Sequence, residues 1–191
     1  DNYNIAIGYN AGLSVTTGVQ NTIIGGLAGD ALTDADHNVA FGYLALSADT
    51  LGSRSTALGY QTLATQNFTS ATNGYNVAVG YLVGNLITTG TQNTLVGSLT
   101  GDALTEGNNN AAFGYNALGN DTLGAQATAV GYLALNQQNF TSATANYNVG
   151  VGAHAGRFIT TGVQNTLIGG LAGDALTDAD FNVAIGVSAL S

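Results

Sequence analysis

Asn4-Ile5-Ala6-Ile7-Gly8 returns as Asn76-Val77-Ala78-Val79-Gly80 and again as Asn148-Val149-Gly150-Val151-Gly152, the numbering advancing by 72 each time. The block Asn21 to Gly42 reappears as Asn165 to Gly186 with three changes, Ile23 to Leu167, His37 to Phe181 and Phe41 to Ile185. Within each such super-repeat lie four smaller units, marked by Gly8, Gly25, Gly42, Gly59, Gly80, Gly97, Gly114, Gly131, Gly152, Gly169 and Gly186. Their spacing runs 17, 17, 17, 21 and then repeats. A fixed period of this length marks a repeat architecture, in which each unit stacks on its neighbours.

Each unit is numbered here from the residue four before its marker glycine. Position 1 is asparagine in nine units, with Ser55 and Ala127 as exceptions. Position 2 is mostly valine, isoleucine or threonine, and position 4 is always large and apolar, from Ile7 through Phe113 to Ile185. Alternation of this kind, ended by glycine, predicts a short strand with positions 2 and 4 facing the core. Position 13 is threonine in all eight 17-residue units, followed two residues later by glycine or alanine, which reads as a turn. Position 6 is usually tyrosine with alanine at position 3. The sizes swap in Ile23/Gly26, Leu95/Ser98 and Leu167/Gly170, which predicts that the two positions share one packed volume.

No 3.6-residue stripe runs through these units, and helix is excluded. The expected fold is all-β, a parallel β-solenoid with 17-17-17-21 residue coils, a single continuous repeat domain over 1–191 with super-repeats 4–75, 76–147 and a partial 148–191. The lack of proline fits continuous ladders. Eleven coils at the strand spacing of ~4.8 Å make a rod about 50 Å long. Asp1-Asn2-Tyr3 matches the tail of a longer unit and Ser191 falls at position 10, so a window onto a longer fibre is expected.

Composition narrows the function classes. Glycine supplies 28 of 191 residues, about twice its usual share, and there is no cysteine. Disulfides and thiolate metal sites are thereby excluded. A formal charge of −9 argues against nucleic acid or an anionic membrane as partner. No apolar run reaches the ~18 residues of a membrane span.

Asn38-Val39-Ala40-Phe41-Gly42-Tyr43-Leu44-Ala45-Leu46 and Asn76-Val77-Ala78-Val79-Gly80-Tyr81 resemble the strand motif of YadA-type trimeric autotransporter heads. They are also similar to the 17-residue repeats of phage tail fibres and other surface fibres. The resemblance implies a left-handed β-roll, an extracellular homotrimer or fibril, and a structural or adhesive shaft that meets a cell-surface receptor or glycan. No enzymatic activity is expected. The longer coil and the 21-residue fourth unit depart from the autotransporter pattern.

Candidate sites are few. Asn67-Phe68-Thr69 and Asn139-Phe140-Thr141 are N-glycosylation sequons at equivalent places in the two long units, and Asn120-Asp121-Thr122 is a third. The four extra residues are expected to leave the ladder as projecting segments, Ala64 to Gly74 and Gln137 to Asn146. Their phenylalanines either present a contact or fold back over the shaft, the second being the favoured reading. Asp34, Asp36, Asp178 and Asp180 form acidic turns whose stacked oxygens suit calcium. The ordinary reading of such turns is a solvated surface, so no cofactor is required. His37, His154, Arg54 and Arg157 fall on no repeated pattern and read as surface decoration. An alternative function is ice binding by the threonine column at position 13, or an enzymatic solenoid. The column is interrupted at Asn67 and Asn139, and no catalytic histidine recurs with the repeat.

Overall fold

A computed structural model describes residues 2–191; Asp1, the first residue of the expected longer-unit tail, lies outside the described residues. The first super-repeat holds β1 (Ile5–Ile7), β2 (Thr22–Ile24), β3 (Val39–Phe41), β4 (Gly52–Ser53), β5 (Thr56–Leu58) and β6 (Thr72–Asn73). The second holds β7 (Val77–Tyr81), β8 (Thr94–Ser98), β9 (Ala111–Phe113), β10 (Gly124–Ala125), β11 (Thr128–Val130) and β12 (Thr144–Ala145). The third adds β13 (Val149–Val151), β14 (Thr166–Ile168) and β15 (Val183–Ile185). No helix occurs among the described residues.

One strand per coil joins an 11-stranded sheet in the order β1-β2-β3-β5-β7-β8-β9-β11-β13-β14-β15, and all its pairings are parallel. Unit positions pair with themselves: Ala40 opposes Ala57, and Leu95 opposes Ala112. The 21-residue units keep this register, since Thr56 opposes Val77 and Thr128 opposes Val149. The chain is a β-solenoid of eleven turns, as the period predicts.

The expected inward face is reversed. Position 3, not positions 2 and 4, fills the interior: Ala40, Ala57, Ala78, Leu95, Ala112 and Ala129 are all fully buried. Phe113 at position 4 is 40% exposed, while its neighbour Ala112 is 0% exposed. The reason is the width of the coil. So short a turn leaves a narrow lumen, which takes alanine beside the asparagine of position 1, or isoleucine or leucine in the second coil of each super-repeat (Ile23, Leu95, Leu167), where glycine at position 9 leaves room. Leucines from later in the coil, such as Leu32, Leu46, Leu104 and Leu118, occupy the rest.

The swap between positions 3 and 6 therefore has a different cause from a shared volume. Position 3 lies inside and the position-6 tyrosines stand half exposed outside. The true size exchange runs through position 9, whose backbone is left-handed in every coil and is either glycine or leucine (Gly29 φ 49°, Leu46 φ 55°). A Cβ on Gly29 would lie 2.8 Å from Leu32 Cδ1 and 3.4 Å from Ile23 Cδ1, so a large residue at 12 or 3 demands glycine at 9. Where position 12 turns polar, at Asp49, Gln66, Asp121 and Gln138, leucine takes position 9 instead. Burying a leucine is worth about 1.5–3 kcal/mol, enough to offset about 1–2 kcal/mol for a left-handed backbone.

The marker glycines have φ from 123° to 143°. A Cβ built on Gly8 would lie 2.5 Å from the carbonyl oxygen of Gly25, and the same overlap recurs coil after coil up to Gly169 over Gly186. The column must be glycine on both counts.

Candidate functional site

Two surfaces and one internal network bear on function. The internal network comes first because it holds the surfaces in register. The position-1 asparagines from Asn21 to Asn165 are buried, and each bridges two coils. Asn93 Nδ2 donates to the Gly107 carbonyl at 2.8 Å, closing its own coil, and its Oδ1 accepts from the Asn110 backbone N–H at 3.0 Å, tying on the next. Asn21, Asn38, Asn76, Asn110, Asn148 and Asn165 repeat the coil-closing bond. The sequence reading saw the asparagine column but not its role. The signal was there: a site needing a donor and an acceptor at once admits asparagine and rejects aspartate.

Ser55 and Ala127 replace asparagine where the coil is longest, and a glutamine fills the space. Gln66 Oε1 accepts from Asn76 Nδ2 at 2.8 Å, and its Nε2 donates to Asp49 Oδ2 at 2.6 Å. Asp49 Oδ1 in turn accepts from the backbone N–H groups of Gly52 and Phe68. The second long unit repeats the arrangement with Gln138, Asp121, Gly124, Phe140 and Asn148. Asp49 is fully buried with no cation beside it, and desolvation pushes its carboxyl above the usual carboxylate range despite the bonds from Gln66, Phe68 and Gly52.

These networks anchor the two long loops. Phe68 and Phe140 are only 4% and 5% exposed, so the phenylalanines fold back onto the shaft, as favoured. The displaced segments are shorter than Ala64 to Gly74 and Gln137 to Asn146. Ala64 accepts from the Ala48 N–H, and Asn67 N–H donates to Thr88, so both stay in the ladder. Thr72–Asn73 rejoins against Gly52–Ser53. The numbering steps by 17 from Thr50 to Asn67, by 20 from Gly52 to Thr72 and by 21 from Thr56 to Val77. Three of the four extra residues therefore leave between Asn67 and Thr72, and the fourth between Asn73 and Val77. Short insertions suffice because the anchors re-establish register at once.

Asn67 and Asn139 are exposed, and their Oδ1 atoms accept from Thr50 and Thr122 at 3.0 Å. Asn120 is exposed too, but Asp121 beside it is buried and the Thr122 hydroxyl is engaged with Asn139 and Phe140. The acidic turns also have internal work. Asp36 Oδ1 accepts from the Val19 N–H at 2.8 Å and Asp180 Oδ1 from the Val163 N–H at 2.7 Å. Asn108 does the same for Thr91 at 2.7 Å. An uncharged amide fills the same role, so the requirement here is an acceptor, not a charge. Asp34 accepts from the Thr17 hydroxyl and Asp178 from Thr177. No group of three or more His, Cys, Asp or Glu side chains gathers as a metal site would require among the described residues. His37 is exposed and aligns with no charged partner; Arg54 binds Asn73, and Arg157 lies over the Phe158 ring at 5.0 Å.

The position-13 threonines are not free either. Thr16, Thr33, Thr88, Thr105 and Thr160 each donate the hydroxyl to the backbone carbonyl of the threonine one coil on.

The larger surface is the outward face of the 11-stranded sheet. Positions 2 and 4 present Val39 and Phe41, Thr56 and Leu58, Ala111 and Phe113, Thr166 and Ile168, all exposed or half-buried. It carries no charged side chain along its eleven strands. Beside it runs the second surface, the position-6 column. Tyr43, Tyr60 and Tyr81 stack at 5.7 and 5.3 Å between ring centroids, and Tyr115 stacks on Tyr132 at 5.6 Å. The His154 ring meets Tyr132 edge-on at 5.2 Å. Among the described residues no helix is long and apolar enough to cross a membrane.

No protein-family model, curated protein or solved structure matches the chain.

Proposed function

We propose that this chain is a length of structural fibre shaft that works outside the cell, with copies packed through the outward face of the main sheet, three about a common axis. The observation that supports this reading is that face itself. It is continuous and uncharged over eleven coils, a length of about 50 Å, with a large apolar residue at every position 4 and threonine at position 2 in five coils, and both positions stay exposed or half-buried. Exposed apolar areas of that extent mark interaction surfaces on soluble proteins. A second copy is the partner of matching shape, because a ladder with one period finds the same period in its twin. The net charge of −9 leaves the association to apolar contact, since like-charged turns repel. The two exposed loops, with Asn67 and Asn139 at their bases, are where an adhesive contact with a cell-surface receptor or glycan would sit.

Sedimentation equilibrium over micromolar concentrations tests the reading. A species heavier than the 19.1 kDa chain is expected, and a monomer throughout refutes it. The ice-binding alternative loses its main support, because the position-13 hydroxyls it relied on are donated to backbone carbonyls within the solenoid.

A further inference from the structure

The tyrosine column is interrupted at the second coil of each super-repeat, where Gly26, Ser98 and Gly170 stand at position 6. Ser98 lies in register beside Tyr81 in the sheet. On its other side its carbonyl accepts from Asn116, which places Tyr115 one coil on. Gly26 is bracketed in the same way by Tyr9 and Tyr43, through Leu27 N–H to Tyr9 and Leu44 N–H to Gly26. Gly170 has Ala153 and Val187 in these places, so only two of the three gaps have aromatic walls.

We infer that each walled gap is a slot for one planar aromatic ring. Where the column is filled, rings follow one another at 5.3 to 5.7 Å with planes 15° to 23° apart, the offset-stacked arrangement. The walls of a gap lie two coils apart, about 9.6 Å along the axis, the same rise that separates Tyr43 from Tyr81 across Tyr60 in the filled column. A single flat ring therefore fits the gap in the offset manner of Tyr60. The floor at Gly26 carries no side chain of its own, and a Cβ built there would meet only the edge of the Tyr43 ring, at 3.5 and 3.9 Å, so an entering ring stacks against a Tyr43 that already leans over the floor. The phenol hydroxyls of Tyr43, Tyr81 and Tyr115 make no hydrogen bond among the described residues, and the rings are about half exposed. Ligand charge follows from the surroundings. The chain carries eleven acids against two arginines, and tyrosine faces attract cations, so the slots take neutral or cationic aromatic molecules and reject anionic ones. The slots lie on the position-6 column, which borders the proposed self-association face at positions 2 and 4, so binding and assembly are read separately.

The probe is thioflavin T, a planar cationic benzothiazole, titrated into the full chain with fluorescence detection, while the same samples are sedimented so that assembly is read separately. Saturable binding at two sites per chain is expected, with the anionic naphthalene sulfonate ANS at least about tenfold weaker. Ser98→Tyr and Gly26→Tyr complete the column and each removes one site, whereas Ser98→Ala keeps both. If Ser98→Tyr does not fold, Tyr115→Ala replaces it, and the loss of one site is again expected. Absence of saturable binding overturns the inference. So does a Ser98→Tyr/Gly26→Tyr double variant that binds like the parent, or a Ser98→Ala variant that does not bind.

Discussion

Asn93→Ala removes one rung of the asparagine ladder and asks how much of the solenoid's stability those buried amides carry. Asn93 is fully buried, so no water replaces its bonds. Truncation strands the Gly107 carbonyl, 2.8 Å from Nδ2, and the Asn110 N–H, 3.0 Å from Oδ1. Each buried backbone group left unpaired costs about 1–3 kcal/mol, giving a loss of about 2–6 kcal/mol for the pair. The cavity adds little, because the amide is small. Ala127 shows that alanine is tolerated at position 1 only with substitutes: Asn146 Oδ1 accepts from the Asn148 backbone N–H at 2.9 Å, and Gln138 Oε1 of the same coil accepts from the Asn148 Nδ2. The coil of Asn93 has Leu104 at that place, which supplies none. Asn93→Asp, which keeps the acceptor but loses the donor and buries a charge against a carbonyl, is expected to be no better than alanine. Urea denaturation at one fixed protein concentration measures the change, with concentration held because association shifts apparent stability. A loss below about 0.5 kcal/mol, the level of an ordinary surface change, refutes the role assigned to the ladder.

Three further outcomes follow from the same structure. Phe113→Asp, on the outward face, is expected to leave the circular dichroism of the dilute chain unchanged while weakening self-association; collapse of the fold would return position 4 to the core. Gly80→Ala places a methyl against the carbonyl of Gly97 at a φ of 137°, so a loss of at least about 3 kcal/mol or failure to fold is expected by thermal melting, and a parental melt contradicts the steric argument. Burial raises the Asp49 carboxyl above its ordinary value of 3.8, so the folded chain holds that proton more tightly than the unfolded one. Its contribution to stability is therefore greatest below that value and is lost as pH rises through the folded-state value. Asp49→Asn, compared with the parent by urea denaturation from pH 3 to pH 7, is expected to gain in relative stability as pH rises; a difference independent of pH contradicts this.

The architecture was legible because it depends on period. Marker glycines at 17, 17, 17 and 21 set the number of coils, and the large residues around them set the strands. Parity was not legible by the same rule, since alternation says which residues share a face and not which face is inside. Reading Phe41 and Phe113 as core followed size, and size misleads in a coil whose lumen fits alanine. The near-constant alanine of position 3, at Ala40, Ala57, Ala78, Ala112 and Ala129, was the better clue, because small residues recur where space is short. The loop anchors were hidden for another reason: Asp49, Gln66 and Asn76 are far apart in the chain and form one network only after the coils stack. The acidic turns were visible as aspartates, but their bonds to Val19 and Val163 one coil away depend on the register.

The central claim, that copies meet through the outward sheet face, is open to a direct test because the chain has no cysteine. Single cysteines are placed at Val96, at position 4 of the main sheet, and at Glu106, an exposed residue of the acidic turn. Mild oxidation followed by denaturing electrophoresis reads which positions meet their counterparts. Covalent dimers from Val96→Cys and none from Glu106→Cys are predicted. Dimers from Glu106→Cys alone, or from neither, contradict the account.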